Sequence, residues 1–134
     1  MVGSKVVAHF LDGRLEKGFT SDFLPARDSF HIEIEVPGGS PRTLAVAHGT
    51  LKAVFFVKDF QGDPGHRKRN DFDPAKPVPG RKIRVEFKDG EVMVGTTQGY
   101  QPGRPGFFIV PADPEANTIR CYVLVAATRS IGWI

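Results

Sequence analysis

The chain has 134 residues, the length of one ordinary domain or of two very small ones. Apolar residues make up 40% and charged residues 25%, which excludes wholesale disorder, and 18 basic against 15 acidic residues leave a net charge of +3, too mild to mark a nucleic-acid protein. The longest apolar run, Ala53–Val57, falls far short of the roughly 20 residues of a membrane-spanning helix, and the start reads as no signal peptide. The one cysteine, Cys121, excludes an internal disulfide and any multi-cysteine metal site. It fits a reducing compartment, so a cytoplasmic protein without membrane attachment is expected.

The first predicted strand is Lys5–Leu11, closed by Asp12-Gly13. Asp-Gly between two strand-like runs signals a two-residue type I′ hairpin, in which both turn residues take positive φ. That turn pairs Leu11 with Arg14, Phe10 with Leu15 and Ala8 with Lys17, and places Lys17 at a rim with its stem packed. Strands follow at Ser29–Val36, Arg42–His48 and Lys52–Val57. Residues 58–81 contain Gly62, Pro64, Gly65, Pro74, Pro77, Pro79 and Gly80, the composition of a linker. A second set opens with residues 82–88 and another Asp-Gly, Asp89-Gly90. The same register pairs Lys88 with Glu91, Phe87 with Val92 and Val85 with Val94, so Ile83, Val85, Phe87, Val92 and Val94 share one buried face. Gly106–Val110, Ile119–Ala126 and Arg129–Ile134 complete the set, and no stretch carries a helical period.

The second set repeats the first. A shift of 77 positions aligns residues 5–57 with 82–134 without a gap, and 12 of the 53 pairs are identical, among them Asp12/Asp89, Gly18/Gly95, Pro25/Pro102, Arg27/Arg104 and Phe30/Phe107. The expectation is an all-β chain: two tandem five-stranded small barrels, residues 1–57 and 82–134, joined by linker 58–81. A unit of 53 residues is near the lower limit for folding alone. The barrels should therefore pack on each other as a pseudo-symmetric unit, or on another subunit, through Phe55, Phe56, Val57, Trp133 and Ile134.

The order of bent hairpin, Gly in strand two, third strand, fourth strand and short link to the fifth resembles the SH3-like barrels, the Sm-like branch in particular. Ala47-His48-Gly49-Thr50-Leu51-Lys52-Ala53-Val54 resembles the second Sm motif, with Ala126 in place of Gly49 in the second copy. The Asn-containing loop with which Sm proteins hold a base is replaced by Leu24–Ser29 and Gln101–Gly106. The chain is also similar to an uncharacterised bacterial family, through Val54-Phe55-Phe56-Val57-Lys58-Asp59-Phe60, Gly95-Thr96-Thr97-Gln98-Gly99-Tyr100 and Pro105-Gly106-Phe107-Phe108. That resemblance implies a bacterial cytoplasmic protein and supplies no activity.

No catalytic constellation is visible. His9, His31, His48 and His66 lack metal-ligand spacing, Asp12 and Asp89 are explained by their turns, and Cys121 stands where the first copy has Leu44 in the core. We therefore expect no enzyme, no metal and no cofactor. The most informative surface feature is the repeated loop Phe23-x-Pro25-x-Arg27 and Tyr100-x-Pro102-x-Arg104. An aromatic beside an arginine can stack on a base or clasp a carboxylate; equally, the aromatic can cap its barrel while the arginine pairs with a local carboxylate. The linker adds the only basic run, His66-Arg67-Lys68-Arg69, flanked by Asp63, Asp71 and Asp73. The leading expectation is a non-catalytic module that binds a protein partner or an adjoining domain, with self-association through exposed edge strands as a further route. The alternatives are an Sm-like binder of single-stranded RNA and, last, a cyclic-dinucleotide sensor of the PilZ type suggested by Arg67-Lys68-Arg69.

Overall fold

The structure, a computed structural model, describes residues 3–61, 72 and 78–134. The basic run His66–Arg69 and most of the linker lie outside the described residues. The first half holds β1 (Ser4–Phe10), β2 (Leu15–Thr20), β3 (Ser29–Ile34), β4 (Arg42–Ala47), a 3₁₀ turn at His48–Thr50 and β5 (Leu51–Val57). The second holds β6 (Arg81–Phe87), β7 (Val92–Thr97), β8 (Gly106–Pro111), β9 (Thr118–Leu124), a 3₁₀ turn at Val125–Ala127 and β10 (Thr128–Trp133). β6 thus takes in Arg81, assigned above to the linker.

All ten strands form one antiparallel sheet in the order β10-β6-β7-β8-β9-β5-β1-β2-β3-β4. The sheet is open, so the strands do not make two separately closed barrels. Each half nevertheless has the same internal order: fifth, first, second, third, fourth. The halves are joined by strand pairing, β9 against β5, with Val54 opposite Tyr122 and Phe56 opposite Arg120.

That pairing explains the two-sided apolar pattern of β5. Successive side chains of a strand point to opposite faces. Leu51, Val54 and Phe56 enter a core with Val6, Ala8, Phe10, Phe30, Ile32 and Val46, to which β9 adds Tyr122 and Leu124. Ala53, Phe55 and Val57, with Val7, enter the other core beside Ile83, Val85, Phe87, Met93, Cys121 and Val123. Each core therefore contains side chains from both halves. Phe55, Phe56 and Val57 are buried at the junction as expected, but Trp133 and Ile134 are 42% and 62% exposed at the far edge of the sheet.

Both Asp-Gly hairpins form one residue out of the expected register. Ala8 faces Glu16 and Val7 faces Lys17; Val85 faces Met93 and Arg84 faces Val94. Only the glycines are left-handed, Gly13 at φ 90° and Gly90 at φ 95°. Asp12 and Asp89 instead use a carboxylate oxygen to accept the N–H of Arg14 (2.9 Å) and Glu91 (3.0 Å). The result is a three-residue loop with a glycine bulge, not a type I′ turn. Met93 consequently packs with Ile83, Val85 and Phe87, while Val92 and Val94 do not. Lys17 lies on the surface, its Nζ donating to the Phe60 carbonyl at 3.2 Å.

Candidate functional site

The two repeated loops are built alike. In the first, the Arg27 N–H donates to the Leu24 carbonyl at 3.1 Å; in the second, the Arg104 N–H donates to the Gln101 carbonyl at 3.3 Å. Pro25 and Pro102 stand at the turn position where a fixed φ is favoured. The end of each loop is tied to the neighbouring 3₁₀ turn: the His48 N–H donates to the Asp28 carbonyl (2.8 Å), and the Val125 N–H to the Pro105 carbonyl (2.9 Å). In the first loop, Asp22 also accepts the His31 N–H at 2.9 Å and contacts His31 Nδ1 at 2.7 Å.

The aromatic residues of both loops are caps. Phe23 lies edge-on to Phe30 at 5.0 Å and to Phe56 at 5.5 Å, matching Tyr100 to Phe107 at 4.9 Å and to Trp133 at 5.7 Å. Phe23 is further enclosed by His48, Phe108 and Tyr122. Both rings are half-buried, with much of their surface spent on these contacts.

The arginines behave otherwise. Arg27 and Arg104 are exposed, and no carboxylate pairs with either among the described residues. Because β9 docks on β5, their two loops face each other across one cleft of about 1220 Å³. Its walls are mainly apolar, including Leu11, Leu24, Pro25, Leu51, Leu124 and Val125, and among the described residues Asp28 is the only acidic one that lines it. A neighbouring depression of about 520 Å³ shares Pro25, Arg104, Gly106 and Tyr122 and adds Arg120. The Arg120 guanidinium lies over the rings of Phe56 (4.5 Å) and Phe108 (4.3 Å), which fixes its position. Arg27 and Arg104 thus line the cleft, and Arg104 and Arg120 the depression beside it, both largely apolar.

Two further polar side chains, His48 and Tyr122, line the cleft. His48 is half-buried, and its Nε2 is buried without a hydrogen-bond partner among the described residues. Burial pushes the His48 pKa down, opposed by the Asp28 charge, so the ring is held toward its neutral form. Burial likewise raises the Tyr122 pKa, opposed by Arg104. The Tyr122 ring lies against Gly106, where a Cβ would meet the ring carbons at 2.5 Å and 2.6 Å; close approach requires glycine there.

Arg27 and Arg104 stand out in the sequence as a repeated pair, whereas Arg120, Tyr122 and His48, which line the same cleft or the depression beside it, do not. Arg120, Tyr122 and His48 correspond to Thr43, Ala45 and Val125 in the other half, so the repeat itself gave no reason to single them out. Among the described residues, no group of His, Cys, Asp and Glu could hold a metal ion, and no helix is long and apolar enough to cross a membrane.

The chain belongs to a family of unknown function, DUF6982, whose model matches residues 2–134. The match covers both halves and the connection between them, so the whole ten-stranded unit is the family's unit. No curated protein and no solved structure matches the chain.

Proposed function

We propose that this member of the family is a non-catalytic binding module whose inter-loop cleft takes an extended segment of a protein partner, one that carries acidic side chains around an apolar residue. One observation carries the reading: Arg27 and Arg104, 77 residues apart in sequence, line one apolar-walled cleft without a carboxylate partner among the described residues. The apolar wall suits a Leu- or Phe-like side chain, and planar guanidinium groups at the mouth suit carboxylates in paired hydrogen bonds. Capping of Phe23 and Tyr100 favours a peptide over single-stranded RNA, because sequence-tolerant RNA binding relies on exposed stacking rings. The repeated strand order and 3₁₀ turns support reading each half as a copy of an SH3-like, Sm-like barrel opened to share a sheet. The buried thiol of Cys121 agrees with a reducing, cytoplasmic setting in a bacterial cell.

The test is a fluorescence-anisotropy titration at about 50 mM salt, where phosphate contacts are strongest. Probes are peptides with Asp and Glu around a Leu or Phe, the same peptides with Lys for the acids, and single-stranded oligouridine and oligoadenine. The acidic peptides should bind, the lysine versions should not, and R27E/R104E should weaken binding at least tenfold, since each charge-assisted contact contributes about 1.5–3 kcal/mol. RNA binding lost in R27E/R104E, with no peptide binding, would replace this reading with the RNA one.

A further inference from the structure

The sheet ends in two strands that pair with nothing on their outer side among the described residues, β4 at one end and β10 at the other. Inside the chain, the halves are joined by the fourth strand of the second half, β9, against the fifth strand of the first, β5. The two free strands are the remaining fourth and fifth strands of the pattern. We propose that a second copy of this chain adds its β4 to β10 of the first, antiparallel, and so repeats the internal junction between molecules.

The internal junction dictates the register. Moving it by 77 positions places Ser130 opposite Val46, Ile131 opposite Ala45, Gly132 opposite Leu44 and Trp133 opposite Thr43. Side-chain sizes fit that register. Within the chain, the large Phe55 faces the small Cys121; at the free edges the sizes are exchanged, with Gly132 facing Leu44. A Cβ on Gly132 would meet nothing within 4 Å, so the space above it is open to a neighbour's side chain. Natural sheets guard free edges with a central charge or a proline. Such guards stand only at the starts of these strands, Pro41 and Arg42 ahead of Thr43–Val46 and Arg129 with a bulge ahead of Ser130–Trp133; the pairing residues themselves contain none, and Trp133 is 42% exposed.

Each copy carries one edge of each kind, so the contact is head-to-tail. It closes into a ring if the rotation between copies divides a full turn, and otherwise continues as an open chain. Each contact sets the Arg104 loop of one copy beside the Arg27 loop of the next, the same arrangement as the internal cleft. Thr43 stands there in place of Arg120. Self-association does not depend on what the cleft binds, and the two readings fail separately.

Sedimentation velocity and native mass spectrometry, from low to several hundred micromolar protein, should show concentration-dependent species above the monomer. T43K/A45K blocks β4 and S130K/G132K blocks β10, each at exposed positions. Each variant alone should be monomeric, and their mixture should give a one-to-one dimer and nothing larger, because one good edge of each kind remains. Oxidised T43C/W133C should form a ladder of disulfide-linked copies, since opposed strand residues lie within disulfide reach, whereas T43C/R129C should not. The ladder also decides the matter should a lysine variant fail to fold. A wild type that stays monomeric throughout, a mixture that stays monomeric, or ladders from both cysteine pairs overturns the proposal.

Discussion

Gly18 in β2 and Gly95 in β7 mark the points where the third strand of each half crosses closest to the second, and alanine at either tests that geometry. A Cβ at Gly95 would fall on the Val110 carbonyl oxygen, with Ile109 Cγ1 and the Val110 carbonyl carbon both at 2.8 Å. At Gly18 it would fall on the Glu33 carbonyl oxygen, with Ile32 Cγ2 at 2.5 Å and the Glu33 carbonyl carbon at 3.1 Å. Backbone atoms cannot rotate aside, so the third strand must retreat by roughly an ångström. In the second half that strand is held to β7 by two paired positions, Gly95 with Pro111 and Thr96 with Val110, by the Ala112 N–H donating to the Val94 carbonyl at 3.0 Å and by the Thr97 hydroxyl donating to the Phe108 carbonyl at 2.7 Å, while β9 holds its other edge. Overpacking costs about 1–3 kcal/mol, and each hydrogen bond lost adds about 1 kcal/mol. With one such bond lost the sum is about 2–4 kcal/mol, a fall in Tm of roughly 7–14 °C for a chain of this size. Calorimetry of G18A and G95A measures it, with G99A as the control because nothing lies within 4 Å of a Cβ there. A G95A protein melting within about 2 °C of the wild type would refute the close approach. A large loss in one variant without the other would refute the equivalence of the two halves.

Three further outcomes are expected. Lys52 reaches from β5 to Asp89 (2.7 Å) and Glu91 (2.5 Å) in the second half, so K52M should cost on the order of 1 kcal/mol in urea unfolding at neutral pH. The Lys52 hydrogen bond holds the Asp89 carboxyl below its usual range; its stabilisation is full above the ordinary aspartate pKa of about 3.9 and is lost as pH falls through the lowered value, so the K52M deficit should shrink there. Burial lowers the pKa of His9, reinforced by Lys52, and that of His48. The unfolded chain therefore binds protons first as pH drops through about 6.5, stability falls with acidification from there to the lowered values, and H48Q should flatten that slope. Residues 1–57 and 82–134 expressed separately should lack dispersed amide NMR spectra, because each core draws on both halves; a folded half alone would refute the shared cores.

The hairpins were legible as hairpins, while their register was not. Asp-Gly allows a type I′ turn or a longer loop with a glycine bulge, and the choice rests on whether the aspartate takes positive φ. Here each Asp carboxylate holds an N–H two residues ahead, which keeps the aspartate right-handed and inserts one residue. With a side-chain period of two, that single residue moves Met93 into the core and Val92 and Val94 off the face expected for them. The two-faced apolar run of β5 was legible as a place where the halves meet. Its partner was not, because pairing with β9 joins residues far apart in the chain and leaves no local pattern.

The cleft was half-legible for a related reason. Comparing the copies finds what they share, and Arg27/Arg104 belongs to that set. What they share is chiefly scaffold: turn residues, capping rings and the glycines at the crossings. The residues that distinguish the cleft are those at which the copies differ, and the differences fall on the side where the halves meet. Arg120 replaces Thr43 and stacks on Phe56 of the other half, and Tyr122 replaces Ala45 and closes over Phe23. His48, with Val125 as its counterpart, turns its ring toward Tyr122. Each of these contacts crosses the junction, so each exists only because β9 lies against β5. At the free edges the counterparts Thr43 and Ala45 are small, which leaves β4 flat enough for another strand to approach. The same strand order thus carries two surfaces: large side chains where the halves are joined, and small ones where the sheet is open.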